Sequence, residues 1–141
     1  MIPRRLQNWP TLMNEFQAQA QEKQMIWGTW DCALMAAGHI DALTGSQIGA
    51  QHAGKYDSAE TAAAYLATLG VEDLTGLATQ ILGPPLAATG KAQRGDIVTF
   101  KTRDEGTALG IMGYAYFCAL DPSGKGLTRL SPTLITAAWR V

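Results

Sequence analysis

Apolar residues recur at helical spacing in the first half of the chain and at strand spacing in the second. Trp9, Leu12, Met13, Phe16 and Ala20 fall on one face of a helix predicted over about 9–23, with Asn8 as N-cap and Pro10 in the first turn, where its missing N–H is tolerated. A second helix is predicted from Asp31 or Cys32 to Leu43, closed by Gly45. Its small residues Ala33, Ala36, Ala37 and Gly38 keep it slim enough to pack as a buried central helix. Ser58 is a good N-cap for a third helix that carries Ala62, Tyr65, Leu66 and Leu69 and stops at Gly70. A shorter fourth starts near Asp73 and ends at "LGPP". Between the second and third, "GSQIGAQHAGKY" (45–56) is predicted to be a loop.

Beyond residue 83 the period changes. "GDIVTF" (95–100), "ALGIMG" (108–113), "YAYFCAL" (114–120), "GLTRL" (126–130) and "LITAAWRV" (134–141) are short runs rich in apolar, β-branched or aromatic residues. The turn-rich pieces "KTRDEGT" and "DPSGKG" separate some of them, and "RDEG" (103–106) reads as a solvated hairpin loop. The pattern predicts a meander of about five antiparallel strands. Helices over about 1–83 followed by strands over about 94–141 imply one α+β domain spanning 1–141, with the central helix laid on one face of the sheet.

A chain of 141 residues is long enough to bury a core without disulfide or metal staples. Hydrophobic residues make up 47% and charged residues only 16%. That leaves much of the surface neutral and points to a partner. Net charge is -1, and the 11 basic residues are scattered apart from Arg4 and Arg5, so nucleic acid is not an expected partner. No apolar run approaches the roughly 20 residues of a membrane span. "MIPRRLQNWP" lacks the apolar core of a secretory signal, so synthesis and folding in a cytoplasm are expected. Cys32 and Cys118 stand far apart with no CxxC spacing and no His cluster, so two free thiols and no metal or other cofactor are expected.

The candidate chemistry lies in "WGTWDCALMAAGHIDALTG" (27–45). A cysteine in the first turn of a helix faces unpaired N–H groups and the positive end of the dipole, both of which favour thiolate. Asp31 is a plausible N-cap, and Trp27 with Trp30 would wall a cleft and exclude water, with Tyr114 a further candidate lining residue. The alternative is that a lone cysteine among alanines is a small buried hydrophobe. Two histidines exist as potential bases. His39 lies seven residues beyond Cys32 on the same helix, about 10 Å along the axis at ~1.5 Å per residue, and is out of reach. His52 sits in the 45–56 loop, either folded back toward Cys32 or simply solvated.

The 27–45 stretch, "RGDIVTF" (94–100) and "ALGIMG" (108–113) together resemble the motifs of NlpC-type cysteine peptidases, a branch of the papain-like superfamily. In those enzymes an aromatic-Gly segment leads into an Asp-Cys pair at the start of the central helix, and the next two motifs open the sheet. The pattern, with the terminal "AAWRV", is most similar to a phage and prophage branch of that fold. The resemblance implies a papain-like α+β domain with Cys32 as nucleophile and Asp31 beside it. It also implies a histidine base opening the second strand, where this chain has Ala108. The expected base is therefore missing, which leaves His52 as the remaining imidazole.

Three readings follow. The first is a non-catalytic phage tail-tip or baseplate component, made in the bacterial host cytoplasm and then carried in the virion among hub proteins in a symmetric assembly. The second is an active peptidoglycan endopeptidase that uses Cys32 with His52 or a partner's residue. The third is a cytoplasmic thiol enzyme or binding module. Trp139 either caps the core or, with Arg140, meets a neighbouring subunit. Gly95-Asp96 reads as a structural turn before the first strand.

Overall fold

The computed structural model describes residues 2–141. Five helices come first: α1 (Trp9–Ala20), α2 (Cys32–Thr44), α3 (Ile48–His52), α4 (Ala59–Thr68) and α5 (Leu74–Leu82). Five strands follow: β1 (Ile97–Lys101), β2 (Thr107–Met112), β3 (Phe117–Leu120), β4 (Leu127–Leu130) and β5 (Ile135–Trp139). The architecture is α+β, with an antiparallel sheet in the order β4-β3-β2-β1-β5.

Helix starts fall where short polar side chains accept from the first turn. The Asp31 carboxylate accepts from Leu34 N–H, Ser58 from Thr61 in a capping box, and Asp73 from Gly76. Gly45 closes α2 at φ 76°, in the left-handed region that favours glycine. Helix α1 ends three residues earlier than its periodicity predicts, because residues 23–25 turn to bond the 124–126 turn: Met25 N–H donates to the Gly124 carbonyl at 2.6 Å, and Gly126 N–H to Lys23.

Two departures alter the predicted layout. Residues 48–52 form helix α3 rather than loop, because the Asp41 carboxylate on α2 accepts from Ile48 N–H, Gly49 N–H and the Ser46 hydroxyl at 2.8–2.9 Å. The sheet is a meander only through β4. Strand β5 then crosses back to the free side of β1, placing Trp139 opposite Ile97 and returning the chain end to Asp96.

Helix α2 is the centre of the molecule. Met35, Ile40 and Leu43 pack with Ile97, Leu109, Ile111 and Trp139 on one sheet face, and α1 adds Met13 and Ala20. Gly38 lets α1 approach, since a Cβ there would stand 3.2 Å from the Phe16 ring. The opposite sheet face carries Val98, Met112, Phe117, Ala119 and Ala138, partly covered by Leu86 and Ala92.

Asp96 anchors the chain ends to this core. Fully buried, it accepts from Arg5 Nη2, Arg140 Nε and Gln93 N–H at 2.9 Å and from Val141 N–H at 3.2 Å. The Gly95-Asp96 turn is thus structural, and its reach extends well beyond local backbone.

Candidate functional site

Cys32 opens α2 beside a cavity of about 400 Å³ enclosed by α2, α3, α4, α5 and the start of β2. Asp31 immediately before it is 2% exposed, and its two oxygens accept from Gly28 N–H and Leu34 N–H at 2.9 Å. The turn that makes this possible requires Gly28, which has φ 80° and lies so close to the Tyr56 carbonyl that no Cβ would fit. Asp31 is therefore committed to building the helix start.

The environment of the sulfur is apolar. Cys32 is half-buried in the cavity wall, and its thiol is raised to about 11, chiefly by burial and also by the neighbouring Asp31 charge. The backbone N–H groups of Leu109, Ala33 and Cys32 itself act in the opposite direction without overcoming this. The helix start does not generate the thiolate that its position alone predicts. Cys118 on β3 is also a free thiol, raised by burial.

His52 lines the same cavity but is engaged elsewhere. Its Nδ1 lies 2.7 Å from the Tyr65 hydroxyl on α4, the two rings meet edge to face, and no hydrogen bond joins it to Cys32. Burial lowers its pKa, so it is a neutral partner of a tyrosine rather than a solvated loop residue. Tyr56 stacks against Tyr65 with centroids 5.6 Å apart, and its hydroxyl faces Asp31. Burial first, then that carboxylate, raise its pKa. His39 is fully buried on the other side of α2, with Nε2 2.8 Å from the Gly95 carbonyl and its ring against Phe16. It does not line the cavity.

Strand β2, on which the resemblance implies a base at Ala108, turns that residue away from Cys32. Side chains alternate along β2. Leu109 and Ile111 lie on the α2 face, whereas a Cβ at Gly110 would meet Phe117 on the opposite face. Ala108 shares the face of Gly110 and pairs with Phe100, so a histidine there would point away from Cys32. The β2 residues that line the cavity are Thr107 and Leu109, and neither is a base.

Three further expectations are corrected. Trp30 does not wall the cleft: it is 7% exposed, packed on Phe16 with Lys23 Nζ 4.2 Å from its ring, while Trp27 does line the cavity. Tyr114 lies before β3 rather than in the cleft, 80% exposed, with the Arg94 guanidinium 5.0 Å from its ring centre. Trp139 is not a surface anchor. It is fully buried because β5 pairs with β1 over the helical layer, and Arg140 is drawn to Asp96 and the Lys91 carbonyl.

Residues 4–141, nearly the whole chain, match the family described as Domain of unknown function (DUF6950). The chain belongs to this family. No curated protein matches it. Among the described residues no group of three His, Cys, Asp or Glu side chains is placed to hold a metal ion, and no helix is long and apolar enough to cross a membrane.

Among the cavity residues that sequence reasoning did not name as site residues are Tyr56, Tyr65, Thr107 and Leu109. Tyr65 was visible as part of the apolar face of α4. Nothing local marks Tyr56, whose role arises from its contact with the distant Gly28-Asp31 turn.

Proposed function

We propose that this domain is a non-catalytic assembly component, built on a degenerate cysteine-peptidase-like fold and working at the tip of a phage tail. The observation that carries the non-catalytic part is the state of Cys32: a thiol raised to about 11 in an apolar wall, with Thr107 and Leu109 where a base would have to stand. Nucleophilic catalysis by a thiol needs a thiolate and a group to protonate the leaving amine, and neither is provided. The tail-tip setting rests on the resemblance of residues 27–45, 94–100 and 108–113 to the phage branch of NlpC-type proteins.

The surface suited to a neighbouring protein is not the Trp139-Arg140 pair. Arg94 lies between Trp9 and Tyr114, 5.3 and 5.0 Å from their ring centres, and no carboxylate pairs with it among the described residues. Aromatic and Arg groups of this kind supply most hot spots at protein interfaces. The test is twofold. Purified protein should leave peptidoglycan undigested, and Tyr114→Ala should fold normally yet fail to enter particles or to co-purify with tail hub proteins. Lysis that disappears in Cys32→Ser would overturn the non-catalytic reading, and unimpaired incorporation of Tyr114→Ala would overturn the assigned surface.

A second reading, a cysteine endopeptidase, draws on the shared cavity of Cys32 and His52. It requires His52 to leave Tyr65 and reach the sulfur when substrate enters. Lysis that depends on both Cys32 and His52 is its signature.

A further inference from the structure

We propose that the cavity beneath α4 binds a single-chain amphiphile with an apolar tail and an ammonium head. This goes beyond the assembly reading and does not rest on it. The cavity's volume of about 400 Å³ lies within the ~300–1,000 Å³ of small-molecule sites. Its floor and side are Ala33, Ala36 and Ala37 of α2 with Leu77 and Ile81 of α5, which offer water no polar side chain to bond. The roof is α4, a ten-residue helix with no buried residue, although Ala62, Tyr65 and Leu66 line the space below it. A helix whose apolar face is left half-covered gains most when apolar matter fills the space under that face. Enclosure by helices on several sides suits a slender chain rather than the surface of a folded partner.

The charge of the lining selects the head group. The carboxylates that line the cavity are Asp31, Glu72 and Asp73, and no Lys or Arg lines it. Asp31 is buried and its oxygens accept from the Gly28 and Leu34 N–H groups, but no cationic side chain offsets its charge among the described residues. Beside it stands Tyr56, and the rings of Trp27 and Tyr65 line the same space. Aromatic faces near a carboxylate attract an ammonium group. His52, held neutral by burial, adds no positive charge to oppose it. A carboxylate head would instead be repelled by Asp31.

The experiment is calorimetric titration of the full chain with n-decylamine, 1-decanol and decanoate, each below micelle formation. Decylamine should bind roughly tenfold or more tightly than decanoate, with decanol between them. Asp31→Asn, which keeps the acceptor for Leu34 N–H but loses that for Gly28 N–H, should bring amine and carboxylate to within about threefold of one another, with Glu72→Gln narrowing the gap in the same direction should the first variant not fold. Ala62→Phe, filling the space under α4, should weaken all three by roughly tenfold or more, with Leu66→Trp as a second filler should the first variant not fold. Three results would overturn the proposal: no binding of decylamine, undiminished binding to a folded filler variant, or decanoate bound as tightly as decylamine. Peptidoglycan hydrolysis and particle incorporation are separate readouts, so failure here leaves the assembly reading standing and the reverse holds too.

Discussion

Replacing Asp96 by Ala should be among the most damaging single changes in this protein. Its carboxylate is fully buried and is the shared acceptor for Arg5, Arg140, Gln93 N–H and Val141 N–H. Removal leaves the Arg5 guanidinium, whose side chain is only 16% exposed, without a counter-charge and held by the Val141 and Arg94 carbonyls alone. The Arg140 side chain, 46% exposed, regains water and adds little. Breaking a buried pair by deleting one partner costs about 3–5 kcal/mol, because the remaining charge is left uncompensated. The two lost backbone contacts belong to the same network and are not added separately. For a chain of this size the loss corresponds to a fall in Tm of roughly 6–20 °C, at ~2–4 °C per kcal/mol. Urea unfolding followed by far-UV circular dichroism should show the midpoint falling with an unchanged m-value. Arg140→Met should cost about 1 kcal/mol or less, and Arg5→Met clearly more. A loss below about 1 kcal/mol for Asp96→Ala would refute the view that this carboxylate ties both chain ends to the sheet.

Four other outcomes follow from the same geometry. His39 is fully buried, and its pKa is lowered to about 4 from 6.5 chiefly by desolvation, so the unfolded chain binds the proton first as pH falls. Stability should therefore drop from about pH 6.5 toward pH 4, by ~3 kcal/mol in all, and His39→Gln should lose that slope; equal slopes in variant and parent would contradict it. Trp139→Ala should destabilise by about 3–5 kcal/mol in chemical denaturation, and a folded, undiminished variant would restore it to the surface. With its thiol near 11, Cys32 should react with iodoacetamide at pH 7 at least roughly a hundredfold more slowly than in the unfolded chain, and its rate should still be rising at pH 9. Thr107→His should quicken that alkylation near neutral pH and Ala108→His should not; the opposite result would mean that the β2 register is misassigned.

The layering of this domain was legible because it rests on local signals. The caps Asp31, Ser58 and Asp73 mark the starts of α2, α4 and α5, and the change of period after residue 83 separates the helical half from the strands, whose ends are less sharply marked. What was hidden depends on contacts between distant residues. Helix α3 exists because Asp41 supplies acceptors to a segment whose own Gly and Gln content resembles a loop. Strand β5 leaves the meander because its end residues bind Asp96, more than forty positions earlier. The direction of Ala108 was not legible either, because strand side chains alternate and only the pairing of Ala108 with Phe100 fixes which face it takes.

Cys32 shows why position in a helix is not enough to assign chemistry. A helix N-terminus stabilises a negative charge by about 0.3–1 kcal/mol, rising to ~2 kcal/mol in favourable buried geometries. Desolvation in an apolar wall shifts a buried acid upward by as much as ~3–5 pKa units, at ~1.36 kcal/mol each, so the second effect wins wherever both act in full. At Cys32, half-buried beside the cavity, burial acts upward more strongly than the N–H groups of Leu109, Ala33 and Cys32 act downward. A catalytic thiol at this place needs a cation nearby to change the balance. His52, which shares the cavity, is turned to Tyr65 and has its pKa lowered by burial, while the Asp31 charge acts to raise the thiol. The same buried carboxylate and apolar wall that raise the Cys32 thiol are what suit the cavity to the proposed apolar, positively charged ligand.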